Sequence, residues 1–138
     1  EEVSRWLHEY ELTVRRFDAS ARISGARILF TMQPEIEAER HKQLTPDEAA
    51  IQRYYRPRYQ TLHTVYRDQL VTRMRELPAR DGIWFEDVSD VFQGEPAKVY
   101  LDYTHLTGRG AYVMARRLAR VVAPVILRSQ NPPGSAER

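Results

Sequence analysis

Asp102 and His105 are the two residues whose types and spacing point most directly to chemistry. They lie in Tyr100-Leu-Asp-Tyr-Thr-His-Leu-Thr-Gly-Arg-Gly110, which runs straight into Ala111-Tyr-Val-Met-Ala-Arg-Arg-Leu-Ala119. A carboxylate this close to an imidazole can accept a hydrogen bond from one ring nitrogen. That fixes the tautomer and leaves the other nitrogen to act as a base. Thr107 is spaced to cap the helix that follows, and Gly108 and Gly110 are expected to let the backbone turn tightly into it. The pair is thus expected on a short loop at a helix N-terminus, where functional groups are often presented. Alone, Asp-x-x-His is a short pattern, and the competing reading is a loop Asp and His that only cap the helix.

The longer segment is more specific. Asp-Tyr-Thr-His-Leu-Thr-Gly-Arg-Gly-Ala, leading into a C-terminal helix, resembles the last catalytic block of the SGNH (GDSL-type) hydrolases. The resemblance implies that His105 is the general base, that Asp102 orients it, and that a serine near the N-terminus of the domain completes the triad. It implies a three-layer α/β/α, flavodoxin-like parallel sheet, of which this chain carries the C-terminal half, from about Ala26 to Leu127. It further implies hydrolysis of a carboxylic ester, such as an acylated lipid or carbohydrate, with no cofactor. The sequence also departs from the family: it has no Gly-Asp-Ser nucleophile block, no oxyanion-hole Gly block and no Gly-x-Asn-Asp block. The nucleophile is therefore expected in a preceding N-terminal half or in a partner chain, and this chain alone is expected to be inactive.

Other polar groups are weaker candidates. Gln33-Pro34-Glu35 ends an apolar run, where a binding loop would begin. By the resemblance, Gln33 and Pro34 border the substrate cleft; a plain strand stop is the alternative. Glu86 and Asp87 close the second apolar run and are expected to bond nearby backbone. Arg53-Tyr-Tyr-Arg-Pro-Arg-Tyr59 mixes basic and aromatic residues that could grip a polyanion or a protein. A non-catalytic Arg/Tyr-rich binding module is thus the second functional reading, set against a helix with solvated arginines. His8, His41 and His63 lack the spacing of a helical ligand pair, so no metal site is expected.

These groups must be held by a single domain, since 138 residues supply one core. Lys and Arg number 21 against 19 Asp and Glu, a balance of +2 that does not call for nucleic acid. Cysteine is absent, which excludes disulfides and thiol chemistry in this chain and leaves its compartment open. The longest apolar run, Val121 to Leu127, is too short to span a membrane. The chain opens on Glu1-Glu2 rather than Met, so residues before Glu1 are expected.

Val3, Trp6, Leu7, Tyr10, Val14, Phe17 and Ala21 recur every three or four residues and predict a helix over 3–22, stopped at Ser24-Gly25. Residues 26–33 and 83–88 read as buried parallel strands, with Val91-Phe92 continuing onto the core. Between them, 35–44 is a loop or irregular helix. Thr45-Pro-Asp-Glu48 is a capping box opening a helix that Pro57 should kink or divide, and that Pro78 and Asp81-Gly82 should close. A last helix spans 107–127. The domain is expected over 1–127, followed by a disordered tail over 128–138. Alternating helices and strands argue for α/β architecture, and two strands cannot cover their own sheet edges, so further strands are expected from outside the sequence.

Overall fold

A computed structural model of the chain describes residues 2–59, 62–81 and 83–130. Its elements are α1 (Glu2–Ile23), β1 (Leu29–Met32), a single 3-10 turn (Ile36–Ala38), α2 (Pro46–Tyr59), α3 (Leu62–Asp81), β2 (Trp84–Asp87) and α4 (Gly108–Gln130). The fold is α/β, with β1 and β2 paired in parallel and Leu29 opposite Trp84.

Local chemistry sets the element ends. α1 is laced by Arg15–Glu11 and Arg22–Asp18 pairs four residues apart. It stops where Gly25 takes φ +69°, a conformation that costs glycine little. There the Gly25 N–H bonds the Arg22 carbonyl at 3.1 Å and the Ala26 N–H bonds the Ala21 carbonyl at 2.8 Å, which together form a Schellman cap. α2 opens on the capping box: Glu48 N–H donates to Thr45 Oγ1 at 3.4 Å, and Thr45 N–H donates to Glu48 Oε2 at 2.9 Å.

Two apolar clusters hold the layers. Val14 of α1, Leu70, Met74 and Leu77 of α3, and Ile83 pack with Phe30, Met32 and Phe85. Alternation along the strands turns Glu86 to the opposite face, where Arg117 of α4 meets it at 2.7 Å. The second cluster joins Ile36, Phe92, Val99 and Tyr100, with Ile51, Leu106 and Val113 packed against it. Burying each such side chain contributes about 1.5–3 kcal/mol. This second cluster lies beneath the Asp102 and His105 loop.

Several boundaries differ from the sequence reading. Both strands are shorter than expected, because only four residues of each find a ladder partner. α2 continues past Pro57 to Tyr59 and α3 begins at Leu62, with residues 60 and 61 outside the described residues. Pro78 does not close α3, which runs on to Asp81; Gly82 is not described. α4 passes through Pro124 and extends to Gln130, so 128–130 are helix rather than tail, and 131–138 are not described. Phe92 is fully buried, as its position after the second strand suggested. Among the described residues no helix is long and apolar enough to cross a membrane.

Candidate active-site loop

The loop is a narrow hairpin standing on a buried base. Tyr100 and Leu106 form an antiparallel bridge. Leu101 N–H donates to the His105 carbonyl at 2.8 Å, and Thr107 N–H donates to the Val99 carbonyl at 2.8 Å. Between these rungs five residues, 101–105, carry the two groups of interest.

Asp102 folds the hairpin tip around itself. Its Oδ1 accepts the N–H of His105 at 2.8 Å and of Thr104 at 3.0 Å, an Asx-type turn. Its Oδ2 lies 2.7 Å from His105 Nδ1. With the imidazole neutral, that contact places the proton on Nδ1 and leaves Nε2 as the lone-pair nitrogen. Nε2 has no partner among the described residues, and the His105 side chain is 75% exposed against 37% for Asp102. The Asp102 carboxyl is held down to about 2 from an ordinary 3.8, first by the backbone N–H groups of His105 and Thr104 and then by the imidazole. It is a carboxylate at any neutral pH, able to orient the ring and to stabilise it when protonated.

Three attachments from distant sequence hold the hairpin. Ile36 N–H, in the 3-10 turn, donates to the Tyr103 carbonyl at 3.0 Å. The Tyr103 ring lies 5.2 Å from that of Tyr55 on α2. Most important, Glu48 Oε1 accepts the N–H of Val99 at 2.7 Å and of Tyr100 at 3.2 Å. Glu48 and Lys42 have fully buried side chains and form an ion pair at 2.9 Å. Burial opposes ionisation of Glu48, but the N–H groups of Val99 and Thr45, together with Lys42, outweigh it and hold its pKa below the ordinary value. Tyr100, also buried, donates its hydroxyl to Glu39 Oε2 at 2.9 Å, and burial with the Glu39 charge pushes its pKa far up, keeping the phenol neutral. Glu39 Oε1 in turn receives the N–H of His41 and Lys42.

Thr107 caps α4 as its spacing suggests: its Oγ1 accepts the Gly110 N–H at 3.1 Å and donates to the Lys98 carbonyl at 3.0 Å. The glycines act differently from expectation. Neither Gly108 nor Gly110 has a positive φ, so neither is needed to turn the backbone. At Gly110 a Cβ would meet the Val99 carbonyl oxygen at 2.5 Å, so the residue is needed for close approach of helix and hairpin; at Gly108 a Cβ meets nothing within 4 Å.

Gln33 and Pro34 sit directly after β1. The Gln33 side chain is exposed, its carbonyl receives Arg67 at 2.8 Å, and Pro34 is buried. Gln33 lines a cleft of about 380 Å³ with Tyr10, Met32, Tyr66 and Arg67, and neither Asp102 nor His105 belongs to that lining. Arg67 also pairs with Glu35 at 3.0 Å. Glu86 and Asp87 take structural partners, Arg117 and Arg75 respectively. In the Arg/Tyr stretch, Tyr54 and Tyr55 meet edge to face while Arg53 and Arg56 stay exposed; side chains 57–59 lie outside the description. His8 and His41 join no metal-ligand cluster, and among the described residues no group of three His, Asp or Glu could hold an ion.

The residues that sequence reasoning missed are Glu48 as a clamp, with Lys42 and Glu39 behind it. A capping box gave a complete local account of Glu48, so nothing flagged its second carboxylate oxygen. The rarity of Lys, only Lys42 and Lys98 in the chain, was the available hint that one of them has a specific place. Comparison with protein-family models, with curated proteins and with solved structures gave no match.

Proposed function

We propose that this chain supplies the Asp–His part of a serine ester hydrolase of the SGNH type, within a three-layer α/β/α sheet whose remaining strands and nucleophile lie outside this sequence. The single observation that carries the reading is the 2.7 Å contact from Asp102 Oδ2 to His105 Nδ1, with Nε2 left at the surface. In this mechanism Nε2 takes the proton of a serine hydroxyl as the oxygen attacks the ester carbonyl. It then returns that proton to the leaving alcohol, and Asp102 stabilises the imidazolium between the two steps. Water repeats the sequence to release the acid. The position of the loop supports the reading, since ligands in open α/β sheets gather beyond the carboxyl ends of parallel strands. An imidazole this exposed also fits a half-site that a second surface must enclose.

The substrate class is a carboxylic ester, with acylated lipids and carbohydrates as the candidates. The test is turnover of p-nitrophenyl acetate by a complete protein in which a serine-bearing half is joined to this one. His105→Ala should lower turnover by more than about 10⁴-fold with the fold intact. Near-normal turnover in a folded His105→Ala protein overturns the proposal.

A further inference from the structure

Arginine is unevenly balanced among the helices. On α1, Arg15 and Arg22 each face an acid one turn away. α4 contains no Asp or Glu at all, yet carries Arg109, Arg116, Arg117, Arg120 and Arg128. The first four line one cleft of about 380 Å³, walled on its other side by the turn that follows β2.

Carboxylates from outside the helix neutralise two of the four. Glu95 takes Arg109 at 2.7 Å, and Glu86 takes Arg117 at 2.7 Å. Arg116 and Arg120, one turn apart and exposed, have no carboxylate partner among the described residues. Arg116 instead lies 5.7 Å from the ring centroid of Tyr112, which Arg109 approaches to 5.8 Å. Like charges at this spacing weaken a helix. Glu95 is already engaged by Arg109 and by the Ala97 N–H, and these bonds hold its pKa below the ordinary value, so its charge is committed to Arg109 rather than to Arg116 or Arg120. Asp90 is the other acid in the cleft lining, and no ion pair engages it among the described residues. Among the described residues, two guanidiniums without a carboxylate partner against one carboxylate without a cation leave an unbalanced positive charge, with Gln93 beside it.

We infer that this cleft binds a phosphate group, held between the guanidiniums of Arg116 and Arg120. Guanidinium forks match the oxygens of phosphate, and two forks one turn apart offer more donors than a single carboxylate can accept. The volume admits a phosphate ester with the group it carries. This site does not depend on the Asp102 and His105 reading, and it lies on α4 rather than on the α2 stretch where the sequence mixes Arg with Tyr.

The test uses this chain. Its amide spectrum is followed by NMR as sodium phosphate is added at constant ionic strength, with chloride as the control. Saturable shifts are expected at Gln93, Tyr112, Arg116 and Arg120 with phosphate alone. Because both arginines are exposed, Arg116→Gln/Arg120→Gln should keep the spectrum of the folded chain and weaken phosphate binding at least about tenfold. Arg53→Gln/Arg56→Gln should leave binding unchanged. Equal shifts with chloride, or phosphate affinity untouched by the Arg116/Arg120 change, overturn the inference. A second arm separates the sources: phosphatidylglycerol vesicles that sediment the chain, and lose it on Arg116→Gln/Arg120→Gln, identify a lipid headgroup. Phosphate binding without vesicle binding identifies a soluble phosphate ester.

Discussion

Glu48 and Val99 are 51 residues apart in sequence, and the carboxylate of one receives the backbone N–H of the other at 2.7 Å. This bond joins the first turn of α2 to the base of the hairpin that carries Asp102 and His105. The same carboxylate completes the α2 cap and pairs with Lys42, so one buried group holds three pieces of chain in register.

Replacing Glu48 therefore does more than remove a helix cap. Glu48→Gln leaves the Lys42 ammonium buried without its counter-charge, a change that costs about 3–5 kcal/mol where an ion pair is broken from one side. Urea unfolding should show that loss. An Asp47→Asn variant, altering an exposed carboxylate in the same turn, should change stability by less than about 1 kcal/mol.

The two glycines at the start of α4 make a matched pair. Gly110→Ala drives a Cβ to 2.5 Å from a backbone oxygen and should destabilise by about 1–3 kcal/mol, as overpacking does. Gly108→Ala meets open space and should be neutral or stabilising by up to about 1 kcal/mol. Thermal unfolding of the two variants gives opposite or clearly unequal shifts if the contact is as described.

Asp102 gives the loop an acid limit. Its folded value of about 2 lies below the ordinary 3.8, so the ionised form stabilises the folded hairpin. That contribution is complete above the ordinary value and is lost as pH falls through about 2. The amide signals of Thr104 and His105, which report the bonds to Oδ1, should titrate with that low midpoint. A midpoint at 3.8 would show that the Asx turn does not favour the charged form.

Asp102→Asn separates geometry from electrostatics. The side-chain oxygen can still accept the Thr104 and His105 N–H groups, so the hairpin should persist. The amide NH₂ then faces Nδ1 and favours the tautomer with its proton on Nε2. Imidazole nitrogen shifts should report that exchange in this chain. In a complete hydrolase the same variant should lose turnover by on the order of 10⁴-fold.

Much of this arrangement is legible from neighbours in the sequence. Thr45 and Glu48 declare the α2 cap, Ser24-Gly25 declares the end of α1, and Asp102 announces His105 three residues later. What is not legible is what these residues do at long range. A carboxylate has two oxygens; the cap used one, and only the fold says where the other points. Ile36 stands in a polar stretch that reads as a loop or irregular helix; it lies in the 3-10 turn, fully buried, and ties down Tyr103. Gly110 matched a turn signal but is small because Val99 lies against it. Pro78 was a poor stop signal, since α3 runs past it to Asp81.

The hairpin bearing His105 is fastened by residues 36, 48 and 55, none of them its neighbours in sequence. Closing such large loops is entropically costly and must precede any gain from the bonds themselves. The hairpin is therefore fixed against the rest of the domain only when α2 and the 3-10 turn are docked on it. A peptide cut from residues 98–130 would keep both side chains, the local turn and the helix cap, yet lack the three attachments that hold the hairpin against the domain.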